Sequence, residues 1–311
     1  MENFTVDPPQ GLEKKVGFIG LGLMGRPMAK RLISTGFEVM VSSRSAPPVE
    51  ELAAAGAIVA TSLTELAQWS QAVITMLPTP ATTEQVVLSS GGVLEAMHPG
   101  SLFIDMGTET PELSRRIHDR AEALGISALD APVSGGDIGA IAGTLSVMCG
   151  GNPDAFERAQ PIFTALATSV RLVGAPGSGQ VVKAVNQIMV AGILGTIAEG
   201  LSLLECSDVD VEAALVALGA GRAGSELLAI KAHQMLNRSY DPGFKVELHL
   251  KDLAIVSDFA RSSGVALPIT TLITQLLVAI ESSGGAQLDH CAIIEAIRGL
   301  RTLALPSSTT S

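Results

Sequence analysis

Val16-Gly17-Phe18-Ile19-Gly20-Leu21-Gly22-Leu23-Met24-Gly25 reads as a short apolar strand running straight into a glycine turn, with a helical pattern from Arg26 to Thr35 behind it. The glycines stand at the G-x-G-x-x-G spacing, and each has a physical reason to be there. Gly20 makes the tight turn, Gly22 lets a diphosphate approach the backbone between Leu21 and Leu23, and Gly25, after Met24, lets helix and strand pack closely. A diphosphate then sits on the helix N-terminus, where unsatisfied N–H groups and the helix dipole favour an anion. A merely structural glycine turn would share the spacing. The position between strand and helix, near the start of the chain, favours dinucleotide binding.

The next strand, Glu38 to Val41, ends where a ribose-binding carboxylate usually stands, about 20 residues past the glycines. Ser42-Ser43-Arg44-Ser45 occupies that place, with no acid among them. Arg44, flanked by the Ser43 and Ser45 hydroxyls, suits a 2′-phosphate, so NADP is expected over NAD. A solvated loop arginine is the plainer alternative. Alternation continues with apolar strands over Ala57 to Ala60, Ala72 to Leu77 and Leu102 to Asp105, separated by helical patterns. That is the signature of a Rossmann-type doubly wound parallel sheet. Ligands of such sheets lie beyond the carboxyl ends of the strands, which places Leu77, Pro78 and Thr108 beside the cofactor unless they are plain turn residues. Ile126 to Leu129 leads into Asp130-Ala131-Pro132-Val133-Ser134-Gly135-Gly136. Its unhindered Gly135 and Gly136 amides, with the Ser134 hydroxyl, make a nest for a carboxylate, although a simple turn would look similar. Leu145 to Cys149 and Val170 to Val173 add strands around a helix from Pro153 to Ala167, and the first domain closes near Ala175-Pro176-Gly177.

From Gly177 to about Cys206 the chain reads as one long helix, since no proline interrupts it after Gly179. Lys183, Asn186, Gln187 and Val190 stand at i, i+3, i+4 and i+7, so a cation and an amide share one face. A bare ammonium on so apolar a helix is costly unless something uses it; the alternative is a lysine snorkelling from a core helix. The helix is expected to join two domains and to place Lys183 in the cleft between them. Beyond it, Val209 to Leu218, Ser225 to Leu236, Glu247 to Ser262, Ile269 to Ser282 and Cys291 to Leu300 all have helical periodicity, which predicts an all-α domain. The expected division is a loose leader over 1–15, a dinucleotide-binding domain over 16–176, a helical substrate and oligomerisation domain over 177–302, and a tail over 303–311.

The 311-residue chain is 47% hydrophobic with a net charge of −11, so it is globular, and general affinity for nucleic acid or an anionic membrane is excluded. An anionic substrate must be held by local donors. Cys149, Cys206 and Cys291 are odd in number, far apart and set among apolar residues, which suits buried thiols in a reducing, cytoplasmic compartment and implies no disulfide and no metal site. Met1 to Lys15 has no apolar run of the kind a secretory signal needs. Ile188 to Ala198 is too short to span a bilayer and reads as a core helix.

Four motifs in order resemble the β-hydroxyacid dehydrogenase family, which includes the 3-hydroxyisobutyrate dehydrogenases. They are Gly17-Phe18-Ile19-Gly20-Leu21-Gly22-Leu23-Met24-Gly25, then Asp130 to Gly136, then Gly177-x-Gly179-x-x-x-Lys183-x-x-Asn186, and Lys251-Asp252. The resemblance covers Val16 to Arg298. Within the family, Ala223-Gly224-Ser225, Pro242-Gly243-Phe244, Leu248-His249-Leu250-Lys251-Asp252 and Asp289-His290 look most like the branch that reduces tartronate semialdehyde to glycerate. Ser43 stands where that branch often has an acid, and Gly107 where a serine is common. The resemblance implies that Lys183 is the general acid/base and that Asn186 orients the substrate. It implies also that Ser134, Gly135 and Gly136 hold the substrate carboxylate, that Lys251 lies near the nicotinamide end, and that Leu77, Pro78 and Thr108 lie near the cofactor ribose. The implied reaction is hydride transfer from NADPH to a small semialdehyde carboxylate. Negative charge develops on the carbonyl oxygen during such a step, and a positioned ammonium stabilises it and then gives up its proton. 3-Hydroxyisobutyrate, glyoxylate and succinic semialdehyde remain open as substrates. A non-catalytic dinucleotide-binding module and an imine reductase are the competing classes; Lys183 and the intact Ser134-Gly135-Gly136 argue against both. His249 is expected to be a structural histidine. The long apolar helix and the scarcity of aromatics in this half suggest a homodimer or homotetramer.

Overall fold

The computed structural model describes residues 14–301. The expected leader lies outside them except for Lys14 and Lys15, and the expected tail lies wholly outside. Two compact units divide between Val185 and Asn186.

The first unit runs in strict alternation. Strand β1 (Lys15–Ile19) is followed by α1 (Gly25–Ser34), β2 (Glu38–Ser42), α2 (Ala46–Ala54), β3 (Ile58–Val59), α3 (Leu63–Trp69) and β4 (Ala72–Thr75). Then come α4 (Pro80–Leu88), α5 (Val93–Ala96), β5 (Leu102–Asp105), α6 (Pro111–Ala123) and β6 (Ser127–Asp130). The unit ends with β7 (Val133–Ser134), α7 (Gly136–Ala142), β8 (Leu145–Gly151), α8 (Pro153–Leu166), β9 (Ala167–Gly174) and the first turns of α9 (Ser178–Leu204). The strands form one sheet in the order β3-β2-β1-β4-β5-β6-β8-β7, with β9 beside β8. Alternate side chains enter two separate cores. Val16, Phe18, Ile74 and Ile104 pack with Met28, Leu32 and Phe163 on one face, while Ile19, Val73 and Phe103 pack with Leu66, Leu113 and Ile117 on the other. Helices on both faces are what let these strands be apolar throughout rather than at every second position.

The sheet is parallel from β3 to β6, but β8 runs antiparallel to both β6 and β7. The doubly wound parallel sheet read from sequence holds over those six strands; the reversal at β8 arises because α7 is about two turns long and follows β7 at once, so the chain turns back in place instead of crossing the sheet. The full crossover through α8 then restores a parallel pair, β8 with β9. β4 also stops at Thr75, two residues short of the expected Leu77.

The second unit holds the remainder of α9, then α10 (Val211–Ala220), α11 (Glu226–Leu236), α12 (Val246–Ser262), α13 (Pro268–Ile280) and α14 (Ile293–Gly299). Among the described residues its only strand-like pairing is one bridge between Lys245 and Asp289. Ala191, Leu194, Ala198 and Leu201 of α9 pack with Met235, Leu253, Leu277 and Ile293 as its core. At Gly195 a Cβ would come within 2.2 Å of the Ile273 side chain, so α9 and α13 touch almost backbone to side chain. Helix α9 is longer and more uniformly apolar than the 188–198 run suggested: over an 18-residue window it has the length and composition of a membrane span. Its buried positions and the polar Gln180, Lys183 and Gln187, all buried, fit a core helix. Of the three thiols, Cys149 and Cys291 are buried, whereas Cys206 is exposed, contrary to expectation, because the turn that ends α9 carries it out of the core.

Candidate active site

Register brings the loops of the first unit to one edge. Ile19 pairs with Ser42 and Thr75, Thr75 with Asp105, and Asp105 with Asp130, so β1, β2, β4, β5 and β6 end level. Gly20 to Met24, Ser43 to Ser45, Leu77 and Pro78, Thr108, and Ser134 to Gly136 all belong to segments leaving that edge, where doubly wound sheets bind ligands.

The glycine turn fits a dinucleotide. A Cβ at Gly20, whose φ is +98°, would lie 2.3 Å from the Met76 carbonyl oxygen, and one at Gly25 would lie 1.9 Å from that of Gly20. Those two glycines are demanded by the protein itself. Gly22 is not: its Cβ would meet nothing within 4 Å, and the residue is exposed. α1 has no side-chain cap and no acid in its first turn, so no carboxylate of its own competes with a diphosphate. Ser43 is half-buried, Ser45 precedes α2, and Arg44 is exposed with no ion pair among the described residues.

Asp130 and Gln180 fix how α9 meets this edge. The Asp130 carboxylate accepts from the Gly177 amide at 2.8 Å and the Gln180 amide at 3.1 Å, capping α9 from the end of β6. Gln180 donates to the Gly107 carbonyl at 3.0 Å and accepts from the Glu109 amide at 2.9 Å, clasping the loop that carries Thr108. Lys183 lies one turn further along and is only 7% exposed. Its Nζ donates to the Val133 carbonyl at 2.8 Å, directly before Ser134-Gly135-Gly136. Gly135 and Gly136 have φ of +132° and +62°, backbone that strains any side chain. Burial pushes the Asp130 carboxyl above its usual range, against the amides of Gly177, Gln180 and Gly179. Asp130→Ala leaves those amides without their acceptor and is expected to lower stability by about 1.5–3 kcal/mol, read as a shift in the urea midpoint. An unchanged midpoint would refute the capping role.

Asn186 and Lys251 belong to the second unit. The Asn186 amide donates to Gln187 Oε1 at 2.8 Å, and Gln187 Nε2 donates to Asp252 Oδ2 at 2.7 Å. The other carboxylate oxygen of Asp252 lies 2.9 Å from Lys251 Nζ. His249 is fully buried, with its Nδ1 3.0 Å from Nδ1 of His290, and Phe244 packs on both rings, which fits the structural histidine expected. Sequence reasoning singled out Lys183 and Asn186 but assigned no work to Asp130, Gln180, Gln187 or Asp252. For Gln180 a signal existed: it stands one helical turn before Lys183.

A level sheet edge, a glycine turn open only where a diphosphate would sit, and a helical second unit together have the plan of an NAD(P)-dependent dehydrogenase. Residues 15–174 match the family model of the NAD-binding domain of 6-phosphogluconate dehydrogenase, and residues 177–297 that of NADP-dependent 3-hydroxyisobutyrate dehydrogenase. The chain is 36% identical over 283 residues to 2-hydroxy-3-oxopropionate reductase of Escherichia coli, covering 91% of this chain and 97% of that enzyme. To the NAD-dependent L-serine dehydrogenase of Pseudomonas aeruginosa it is 33% identical over 287 residues, covering 90% and 96%. A crystal structure of 3-hydroxyisobutyrate dehydrogenase from Salmonella typhimurium superposes with a TM-score of 0.82 at 27% identity, covering 90% and 99%. The chain belongs to the β-hydroxyacid dehydrogenase family, in the 3-hydroxyisobutyrate dehydrogenase-like group, and is an NAD(P)-dependent hydroxyacid dehydrogenase.

Proposed function

We propose that the enzyme reduces a small semialdehyde carboxylate to the hydroxy acid, with tartronate semialdehyde as first choice and NADPH as the preferred cofactor. The observation that carries this reading is the buried Lys183 amine, held by the Val133 carbonyl beside Ser134-Gly135-Gly136. The name of the Escherichia coli relative, 2-hydroxy-3-oxopropionate being tartronate semialdehyde, supports the substrate. When bound, the nicotinamide supplies the hydride. Lys183 donates to the Val133 carbonyl, and in the proposed step an N–H of the same ammonium meets the substrate carbonyl oxygen, stabilises its developing charge and is given up as the proton. Ser134 and the amides of Gly135 and Gly136 hold the carboxylate, and Asn186 orients the substrate. Lys251 lies toward the nicotinamide, and Gly20 to Gly25, Leu77, Pro78 and Thr108 hold the dinucleotide. Steady-state rates on a panel of tartronate, methylmalonate and succinic semialdehydes, glyoxylate, 3-hydroxyisobutyrate and L-serine, each with both cofactors, test it. Tartronate semialdehyde with NADPH is expected to give the highest kcat/KM.

Arg44 is the residue we assign to the 2′-phosphate. A charge-assisted contact of about 1.5–3 kcal/mol predicts that Arg44→Ala raises KM for NADPH roughly 10- to 100-fold while KM for NADH stays within about twofold. Equal effects on both cofactors would remove the assignment.

The second unit supports self-association. α10 is strongly apolar yet has no buried residue, and Val216 on it is 74% exposed. Such a face calls for a cover, and we propose a homodimer or homotetramer. Sedimentation equilibrium giving a monomer at micromolar protein would refute it. Free buried thiols at Cys149 and Cys291 support a reducing, cytoplasmic setting.

A further inference from the structure

The orientation of a side-chain amide is invisible in shape alone, because its oxygen and nitrogen are nearly the same size; only partners fix it. In the second unit those partners form a chain with one direction. Asp252 is 3% exposed and holds the Lys251 ammonium on Oδ1, so its Oδ2 acts as an acceptor toward Gln187. Gln187, also 3% exposed, must therefore turn its NH2 toward Asp252 and its carbonyl toward Asn186. Asn186 in turn must spend an N–H on Gln187, and its Oδ1 is left facing away, with no hydrogen bond among the described residues.

We propose that Gln187 is a positioning residue: it passes the polarity of Asp252 to Asn186, so that Asn186 meets the substrate with its carbonyl oxygen and reads a hydroxyl group. The inference rests on the proposed role of Asn186 as the residue that orients substrate, and it deepens that role by assigning which atom does so. A hydroxyl beside the reacting carbon is what such an acceptor recognises, and an amide turned the other way would instead select a second acceptor. Without Gln187 no side-chain hydrogen bond among the described residues distinguishes the two orientations of Asn186.

Two variants test the relay in the full-length enzyme. Gln187→Met keeps length and volume but has neither donor nor acceptor of comparable strength. It is expected to lower kcat about 10- to 100-fold, as loss of an outer-shell partner does elsewhere, with KM for the dinucleotide within about twofold. Gln187→Glu can donate to Asp252 only while its carboxyl is protonated, so its kcat, taken as a ratio to the parent at the same pH, is expected to recover as pH falls. A parent-like kcat in the first variant, or a parent-like pH profile in the second, overturns the proposal. A simple packing role would produce no such pH recovery. Should the parent turn over none of the panel, the proposed reaction fails, but the relay is still read by NMR of the side-chain amides. The Asn186 NH2 pair is expected to show one proton shifted downfield and slow to exchange in the parent and not in Gln187→Met; identical resonances in both overturn it.

Discussion

Lys183→Ala is expected to lower kcat by about 10²- to 10⁴-fold, the usual worth of a positioned general acid, while the dinucleotide binds as before. The separation of the two effects follows from where the side chain sits. Its backbone lies in α9, which Asp130 caps from β6, and its Nζ donates to the carbonyl of Val133, beside Ser134-Gly135-Gly136 and not in the glycine turn. Fluorescence titration with NADPH alongside steady-state kinetics checks both halves. A kcat within threefold of the parent would end the assignment of Lys183. A large loss of dinucleotide affinity would show instead that the lysine belongs to cofactor binding.

Asp289→Ala is expected to destabilise the protein by about 3–5 kcal/mol. Asp289 is fully buried, and its two oxygens take the Lys231 ammonium at 2.9 Å together with the backbone amides of Gly243, Phe244 and Cys291 at 3.0 Å each. Lys231, itself 8% exposed, would be left as a buried cation without its partner. Burial opposes ionisation of Asp289, but His290, Lys231 and the Cys291 amide outweigh it and hold the carboxyl below its usual range. Thermal and urea unfolding measure the loss; a midpoint near that of the parent would show that the pair contributes nothing. Asp289→Asn, which keeps one acceptor and the volume, should lose less.

The same cluster sets an acid limit. His290 is held neutral, well below the ordinary imidazole value, first by burial and then by the neighbouring His249. Its folded pKa is depressed, so the unfolded chain binds a proton below about pH 6.5 that the folded chain refuses until far lower. Stability is therefore expected to be full above that pH and to fall progressively below it, and His290→Gln should flatten the decline.

Legibility followed the range of the physical cause. Strand, turn and helix at residues 15–34 depend on neighbours a few positions away, and so do the apolar runs of β4 and β5 and the uninterrupted helix from Ser178 to Leu204; each was readable from spacing. The reversal at β8 was not, because strand direction depends on whether a connection crosses the sheet, and α7 had no distinctive pattern. Cys206 misled for a related reason: apolar sequence neighbours do not guarantee burial where a helix ends.

What the sequence determined by itself is the dinucleotide fold, the helical second half and the candidacy of Lys183, since glycine spacing, strand alternation and helical period are local and repeat along the chain. Only the tertiary structure decided which carboxylates and amides give that framework its working geometry. Asp130 meets Gly177, Gln187 meets Asp252 and Lys231 meets Asp289 across 47, 65 and 58 residues of chain. An acid's role is set by the N–H groups brought within about 3 Å of it, and folding alone brings them there.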